Sequence, residues 1–381
     1  MRIAILNWRD LTHPEGGGAE RYAQTVSAGL AARGHDVTFF CAAHPGAAPV
    51  EDVDGYRIVR RGGRMTVYPA AVRALLRSAR AHGRFDVVVD VQNGLPFWSP
   101  LVVDVPVVSL VHHVHREQWP VVFGPLIARL GWLLESKVSP RLYRGHTYVT
   151  VSGRSRDELA DLGVAADDIR VIHNGTDRPM ALGVPRSAKP TIVVLGRLVP
   201  HKRVELAIDV LARLRRRYPD VELRIVGDGW WHDRVAAHAA QLGLSDVVHL
   251  LGYVDEMTKH RELSSAWLAL APSAKEGWGL NVVEAASHGV PTIAHHGAGG
   301  LSESIVDGQT GLLVDDVDGM VEAASALIRD AARRQALGEQ ARVQARLHTW
   351  DAAVEAWDHL LSELVPAAAG GRGGSREVAS A

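Results

Sequence analysis

Cysteine is nearly absent from this 381-residue chain: Cys41 stands alone, which excludes a disulfide framework and a cysteine-rich metal site. A single thiol fits a reducing compartment. Excess charge of either sign is also lacking. The 42 Lys and Arg balance 43 Asp and Glu to a formal net charge of −1, which argues against general nucleic-acid binding. No apolar run is long and clean enough to span a bilayer. Residues 2–8 form a short strand-like run that meets Arg9 and Asp10 at once, unlike a secretory leader. The expectation is a cytoplasmic protein, at most peripheral on the inner face of a membrane. No G-x-G-x-x-G follows the first strand, and the second strand ends at Cys41 rather than an acid, so a dinucleotide oxidoreductase is disfavoured.

What is present is enough apolar material for two cores, 47% of the residues, in a regular alternation. Short β-branched runs alternate with longer Ala/Leu/Arg-rich helical patterns, which predicts parallel α/β sheets. Strands are expected at 2–8, 36–41, 56–60, 85–91, 106–111, 147–152 and 170–173, and helices at 19–33 and 69–81. The first helix places Tyr22, Val26, Gly29 and Leu30 on one side, with Gly34 as its stop. Pro179, Gly183, Pro185 and Pro190 then break the pattern. It restarts with strands at 191–198, 221–226, 247–254, 267–272, 291–294 and 311–314. The reading is two doubly wound, Rossmann-like domains facing across a cleft, at 1–176 and 191–349, joined by a linker at 177–190. A helix at about 350–365 crosses back to the first domain, and 366–381 has the composition of a disordered tail.

Two constellations sit where strands end. The strand at 191–195 runs into Gly196-Arg197 and on to Lys202, just before a helical pattern opens at Val204. A planar guanidinium, a point-charge ammonium and free helix-start N–H groups suit a diphosphate. Taken alone, the pair reads equally well as exposed surface charge. The strand at 267–272 runs into Glu276-Gly277-Trp278-Gly279-Leu280-Asn281 and then Glu284, so both carboxylates can border one crevice. Carboxylates there accept hydrogen bonds from paired hydroxyls, as sugar and ribose recognition requires. A lone early-helix Glu is more often a dipole partner. The combination carries the weight.

Arg197, Lys202 and the Glu276-x7-Glu284 spacing resemble the signature of family 4 GT-B glycosyltransferases, which are retaining enzymes. The resemblance extends over roughly residues 1–360, through Gly17-Gly18-Ala19-Glu20, Gly34-His35-Asp36, His173-Asn174-Gly175, Gly227-Asp228-Gly229, Gly252-Tyr253 and Gly299-Gly300-Leu301-Ser302-Glu303. It implies a GT-B fold and a hexosyltransferase using a UDP- or GDP-sugar as co-substrate, with no other cofactor. The acceptor would be a glycan, a lipid-linked sugar or a small molecule. Arg197 and Lys202 would hold the donor diphosphate, and Glu284 the ribose hydroxyls. Glu276, the backbone of Gly277, Gly279, Leu280 and Asn281, and His112 would meet the donor sugar. Gly17 and Gly18 would let the first domain's loop approach the phosphates. No Asp-x-Asp pattern with cleft context appears, so no catalytic metal is expected. His173 departs from the family, which more often has proline there. A sugar-nucleotide epimerase of the same fold and a degenerate sugar-binding module are the competing readings.

The cluster His112-His113-Val114-His115 ends the strand at 106–111, and a metal reading of it lacks a second cluster. His113 and His115 fit either local packing or an acceptor pocket, whereas His295 and His296 read as structural. The segment 119–134, WPVVFGPLIARLGWLL, is apolar yet interrupted by Pro125 and Arg129. It reads as packed first-domain structure or as an interfacial surface or acceptor channel. Arg73, Arg77, Arg80 and Arg84 are spaced to form one basic helical stripe, also the mark of a solvated face.

Overall fold

The computed structural model describes residues 1–365; the tail expected at 366–381 lies outside the described residues. Two sheets organise the chain. The first contains β1 (Arg2–Leu6), β2 (Asp36–Cys41), β3 (Val50–Val53), β4 (Tyr56–Arg60), β5 (Val87–Val91), β6 (Val107–Val111), β7 (Thr147–Thr150) and β8 (Ile169–Val171). Its spatial order is β3-β4-β2-β1-β5-β6-β7-β8, parallel except at the β3–β4 edge. The second contains β9 (Thr191–Leu195), β10 (Glu222–Val226), β11 (Val248–Gly252), β12 (Leu268–Ala271), β13 (Thr292–His295) and β14 (Gly311–Val314), in the order β11-β10-β9-β12-β13-β14. All five of its pairings are parallel. Both sheets are therefore doubly wound, and strand order reverses at β1/β5 and at β9/β12. The crevices outside the carboxyl ends of these strands are where such sheets take ligands.

Helices α1 (Gly18–Ala32), α2 (Val67–His82), α3 (Trp119–Val122), α4 (Pro125–Leu133), α5 (Ser139–Leu142) and α6 (Gly153–Asp161) belong to the first sheet's connections. A single π-helical turn, Leu134–Val138, joins α4 to α5. The second half adds α7 (Val204–Leu214), α8 (His232–Gln241), α9 (Glu256–Ser265), α10 (Leu280–Ser287), α11 (Leu301–Ser304), α12 (Val317–Arg329), α13 (Ala331–Ala345) and α14 (Trp350–Leu364). Their apolar faces cover both sides of each sheet, as parallel sheets require. Ile3, Ile5, Val87 and Val89 face α1 and α14, whereas Ala4, Leu6, Val88 and Val107 face α2 and the α4–α5 region. In the second sheet Ile192, Val194, Leu223 and Ile225 pack with α7, α8 and α12.

The antiparallel edge β3 was not anticipated. Val-Glu-Asp-Val is short and mostly exposed, so it carries no apolar signal, and such polar edges resist further pairing. The proline-bearing stretch before β9 has no regular structure yet is pinned to the second sheet's helices. Arg186 donates to the carbonyls of Ala266 at 2.7 Å, Ser264 at 2.9 Å, His288 at 2.9 Å and Gly289 at 2.7 Å.

After α13 the chain returns to the first sheet. Thr176 N–H donates to His348 C=O at 2.9 Å, and a Cβ on Gly175 would meet the Trp350 nitrogen at 2.3 Å, so the two crossings run side by side. α14 then lies on α1. Trp357 Nε1 donates to the Tyr22 hydroxyl at 2.6 Å, which donates onward to Ile172 C=O at 3.1 Å. A Cβ on Gly29 would stand 2.3 Å from Val354 Cγ2, so only glycine permits this approach. His173, which replaces the more usual proline, packs its ring 4.3 Å from buried Trp278, with His348 4.9 Å away on the same indole.

Candidate active site

The two strand-order reversals face each other, and the residues singled out in the sequence gather along that seam. β9 runs into Gly196, whose φ of +145° suits glycine, and the chain turns through Arg197 and a short 3-10 turn, Pro200–Lys202, into α7. Arg197 reaches across the seam, where Nη1 donates to Glu15 C=O at 2.7 Å. A Cβ on Gly17 would lie 3.0 Å from that guanidinium, and one on Gly18 would lie 3.1 Å from Leu280 Cδ1. The glycines thus let the loop after β1 close onto the second sheet.

β12 ends in the loop that carries Ser273 and Glu276. The Glu276 carboxylate accepts from Lys202 Nζ and, at 2.6 Å, from Ser273 Oγ. Burial raises this carboxyl; the Lys202 charge, together with the hydrogen bonds from Lys202 and Ser273, more than offsets burial and holds it below the usual carboxylate range. Ala274 N–H donates to His201 C=O at 2.8 Å, which ties the two loops together. The Gly299-Gly300 turn supports Glu276 from behind: Gly300 N–H donates to Glu276 C=O at 2.9 Å, and a Cβ on Gly300 would be 2.1 Å from Gly277 C=O. Gly279, at φ +91°, opens α10. Asn281 uses its side chain on the scaffold, donating to Leu195 C=O at 3.1 Å.

Glu284, one turn further along α10, pairs with Lys259 Nζ at 2.7 Å and lies 3.8 Å from Arg21 of the first sheet's α1. His112 comes from the opposite side, just after β6. It is 6% exposed, its ring stands edge-on to Tyr22 at 5.2 Å, and its Nε2 has no partner among the described residues. Burial pushes the imidazole down to about 3, so it is neutral at ordinary pH. A Cβ on Gly277 would stand 2.5 Å from His112 C=O, so this pair of loops also touches.

The two histidines that follow make local contacts. His113 and His115 stack at 4.3 Å; His113 pairs with Gln118 at 3.0 Å and His115 with buried Glu135 at 3.0 Å. Among the described residues no group of three or more His, Cys, Asp or Glu side chains is placed to hold a metal ion.

Four residues that motif reasoning did not single out complete the seam. Lys259 and Arg21 partner Glu284. Lys275 bridges the halves, with Nζ 2.8 Å from Glu158 and 3.1 Å from Val114 C=O. Arg9, after β1, is bound to Glu15 at 2.6 Å and lies near enough to Arg197 for repulsion between them; burial, chiefly, and that repulsion lower its affinity for a proton. A fifth contact is Glu303, which accepts the N–H groups of Gly153 at 2.8 Å and of Arg154 at the start of α6. Arg21, Lys275 and Glu303 pair across more than a hundred residues, which spacing cannot carry, whereas Lys259 and Arg9 meet nearer partners, Glu284 and Glu15, that belong to no shared motif with them.

Family comparisons match this architecture in two adjoining blocks. Residues 16–178 match the model described as Glycosyltransferase Family 4, and residues 183–344 match Glycosyl transferases group 1. The MMP alpha-(1->4)-mannosyltransferase of Mycolicibacterium hassiacum is 30% identical over 392 residues, covering 91% of this chain and 93% of that one. The chain belongs to glycosyltransferase family 4. The glycogen synthase of Mycobacterium tuberculosis is 28% identical over 377 residues, covering 90% of this chain and 89% of that one. Among solved structures, the sucrose-phosphate synthase of Thermosynechococcus elongatus superposes with a TM-score of 0.81 at 22% identity, covering 95% of this chain and 98% of that one. This family 4 protein is thus a glycosyltransferase with the GT-B fold. The seam between its two sheets is its candidate active site.

Proposed function

We propose that this glycosyltransferase moves a hexose from a UDP- or GDP-sugar to an acceptor hydroxyl, with retention at the anomeric carbon and without a metal ion. The observation that carries the reading is the meeting of Arg197, Lys202, Glu276 and Glu284 from the second sheet with Gly17, Gly18 and His112 from the first. Arg197 and Lys202 bind the diphosphate, and the backbone N–H groups around Gly277, Gly279 and Leu280 add neutral donors. Glu284 accepts from the ribose hydroxyls, and Glu276 and the neutral His112 from or to the hydroxyls of the sugar.

The bond from the anomeric carbon to the β-phosphate oxygen breaks first, and its electron pair stays on the diphosphate beside the two cations. The acceptor oxygen then bonds to the same face of the sugar, and its proton passes to a phosphate oxygen of the departing nucleotide. Glu276 lies on the hydroxyl side of the sugar in this reading, so no covalent sugar–carboxylate intermediate is needed. The work of the protein is positioning and stabilisation of the leaving group.

The test is incubation of the purified protein with UDP-glucose or GDP-mannose, an acceptor panel and excess EDTA, with the product anomer assigned by proton NMR. Transfer of an α-linked sugar from the α-linked donor in EDTA is the expected result. A β-linked product, full inhibition by EDTA that Mg²⁺ reverses, or conversion of the donor sugar to its epimer without transfer would overturn it.

A further inference from the structure

We propose that the α2/α3/α4 face of the first sheet's half docks on an anionic lipid bilayer, so that the acceptor is presented from the lipid surface. The acceptor part rests on the sugar-transfer reading above; the docking part does not. The starting observation is an apolar face that the protein leaves uncovered. Val121, Val122, Leu126, Ile127, Leu130 and Leu133 are each more than half exposed, Leu126 by 79%. Their spacing on α4 puts Leu126, Ile127, Leu130 and Leu133 on one stripe. The opposite side of the same helix is the side held by the fold: Ala128 and Gly131 are buried, and a Cβ on Gly131 would strike the Trp119 ring at 2.3 Å. Trp119 is fixed in turn by donating Nε1 to Glu135 at 2.6 Å from the π-helical turn. The outward leucines are therefore not core residues left over from a loose fold. A contiguous outward apolar surface of this kind marks a binding face.

Charge decides what binds there. Between Glu117 and Asp157 the only acidic residue is Glu135, which is 2% exposed and engaged with Trp119 and His115. Between Asp54 and Asp86 there is no acidic residue at all. α2 packs on the same side of the sheet as Trp132, Leu142 and Tyr143, so its basic stripe shares the layer with α4. Arg73, Arg77, Arg80, Arg129, Lys137 and Arg144 are exposed, and none has an ion-pair partner within 4.0 Å among the described residues; Arg84, expected in the same stripe, lies past the end of α2 and stands 3.7 Å from Asp104. The whole chain is balanced at −1, so this cationic layer is a local segregation, not an average. Apolar side chains surrounded by unpaired cations fit lipid tails beneath anionic headgroups. A protein partner would have to offer the same combination of apolar depth and diffuse negative charge.

The face lies on a membrane rather than through it, since no helix among the described residues is long and apolar enough to cross one. It also sits next to the seam. His115 reaches back to Glu135 in the turn after α4, and Lys275 of the donor-side loop holds Val114 C=O at 3.1 Å. Docking through α4 therefore places the sugar-bearing seam beside the headgroup plane.

The experiment uses the full-length protein and three vesicle conditions. Sedimentation is measured with phosphatidylcholine vesicles, with vesicles containing phosphatidylglycerol at low salt, and with the latter at high salt. Binding is expected only to the anionic vesicles, weakening about tenfold or more with salt as the headgroup charge is screened. Two variants separate the contributions: Leu126→Glu with Ile127→Glu and Leu130→Glu, and Arg73→Glu with Arg77→Glu and Arg80→Glu. Each should lose at least about tenfold in vesicle binding while binding UDP or GDP as the parent does and remaining folded by circular dichroism. Absence of vesicle binding at low salt, or binding unchanged in both variants, would overturn the proposal. So would a dimer in analytical ultracentrifugation that the leucine variant dissociates, because the face would then belong to a second copy. Transfer to a water-soluble acceptor without vesicles tests the sugar-transfer reading separately, so the two failures can be told apart.

Discussion

Lys202 and Glu276 hold each other in a place where neither charge is well solvated, and this makes their substitutions asymmetric. Charge moves onto the diphosphate as the sugar–phosphate bond breaks, so a cation there contributes most in the transition state. Arg197→Ala and Lys202→Ala should each lower kcat by on the order of 100- to 1,000-fold at saturating donor. Lys202→Ala should also alter the pH profile. Without the ammonium, burial is opposed chiefly by the weaker Ser273 hydrogen bond, and the Glu276 carboxyl rises, so kcat/KM should begin to fall at a higher pH than in the parent. Near-normal kcat in both variants would remove the leaving-group role. Glu284→Ala is expected to behave differently, raising donor KM with little change in kcat, because ribose contacts change little during reaction. The structure favours a clean result here, since Lys259 keeps Glu256 at 2.7 Å and is not stranded when Glu284 is lost.

Elements meet in this protein through glycines, and a small added side chain is enough to test each meeting. Gly29→Val should push α14 off α1, because the added carbons fall where Val354 stands, 2.3 Å from a Cβ. Overpacking of this kind typically costs about 1–3 kcal/mol, read as a lowered denaturation midpoint. Adding Val354→Ala should restore much of the loss, and failure to do so would mean the α1–α14 approach is not the seat of the strain. Gly277→Ala meets the His112 carbonyl instead, at 2.5 Å, and should lower kcat by keeping two active-site loops apart while the denaturation midpoint hardly moves. The elements themselves were largely legible in the sequence, because buried parallel strands are continuous β-branched runs and the helices between them repeat with a period of 3.6. β3 was not, since Val50-Glu51-Asp52-Val53 is a polar edge whose pairing comes from its neighbour β4. Arg197, Lys202 and Glu276 announced themselves by lying at strand ends in one motif. Lys275 did not, because Glu158 and Val114 lie more than a hundred residues away, and Lys259 and Arg9 did not, because no motif spacing ties them to Glu284 and Glu15 and only the fold turns each pair together.

Across the whole molecule, acid stability should reflect histidines that the folded chain keeps neutral. Burial lowers His112 to about 3 and His201, His288 and His348 to about 4, and these groups are spread over both halves. The unfolded chain takes up these protons below about 6.5 while the folded chain refuses them, so stability is complete above that pH and falls as the pH drops toward 4. Glu276 acts in the same direction but later, since its stabilisation is lost only as the pH falls through its lowered value. Thermal denaturation should therefore show a midpoint that declines steadily from pH 6.5 to 4.5; a flat midpoint over that range would contradict the burial of these rings. The placement of α14 on α1 has a further consequence during synthesis. Roughly 320 residues separate the two helices, so at about 5–20 residues per second the ribosome delivers the cover some 15–60 s after the face it covers. Through that interval Tyr22, Val26 and Leu30 lack Trp357 and Val354, and the half of the protein made first is the half completed last. The nascent polypeptide is therefore a natural client for a holding chaperone.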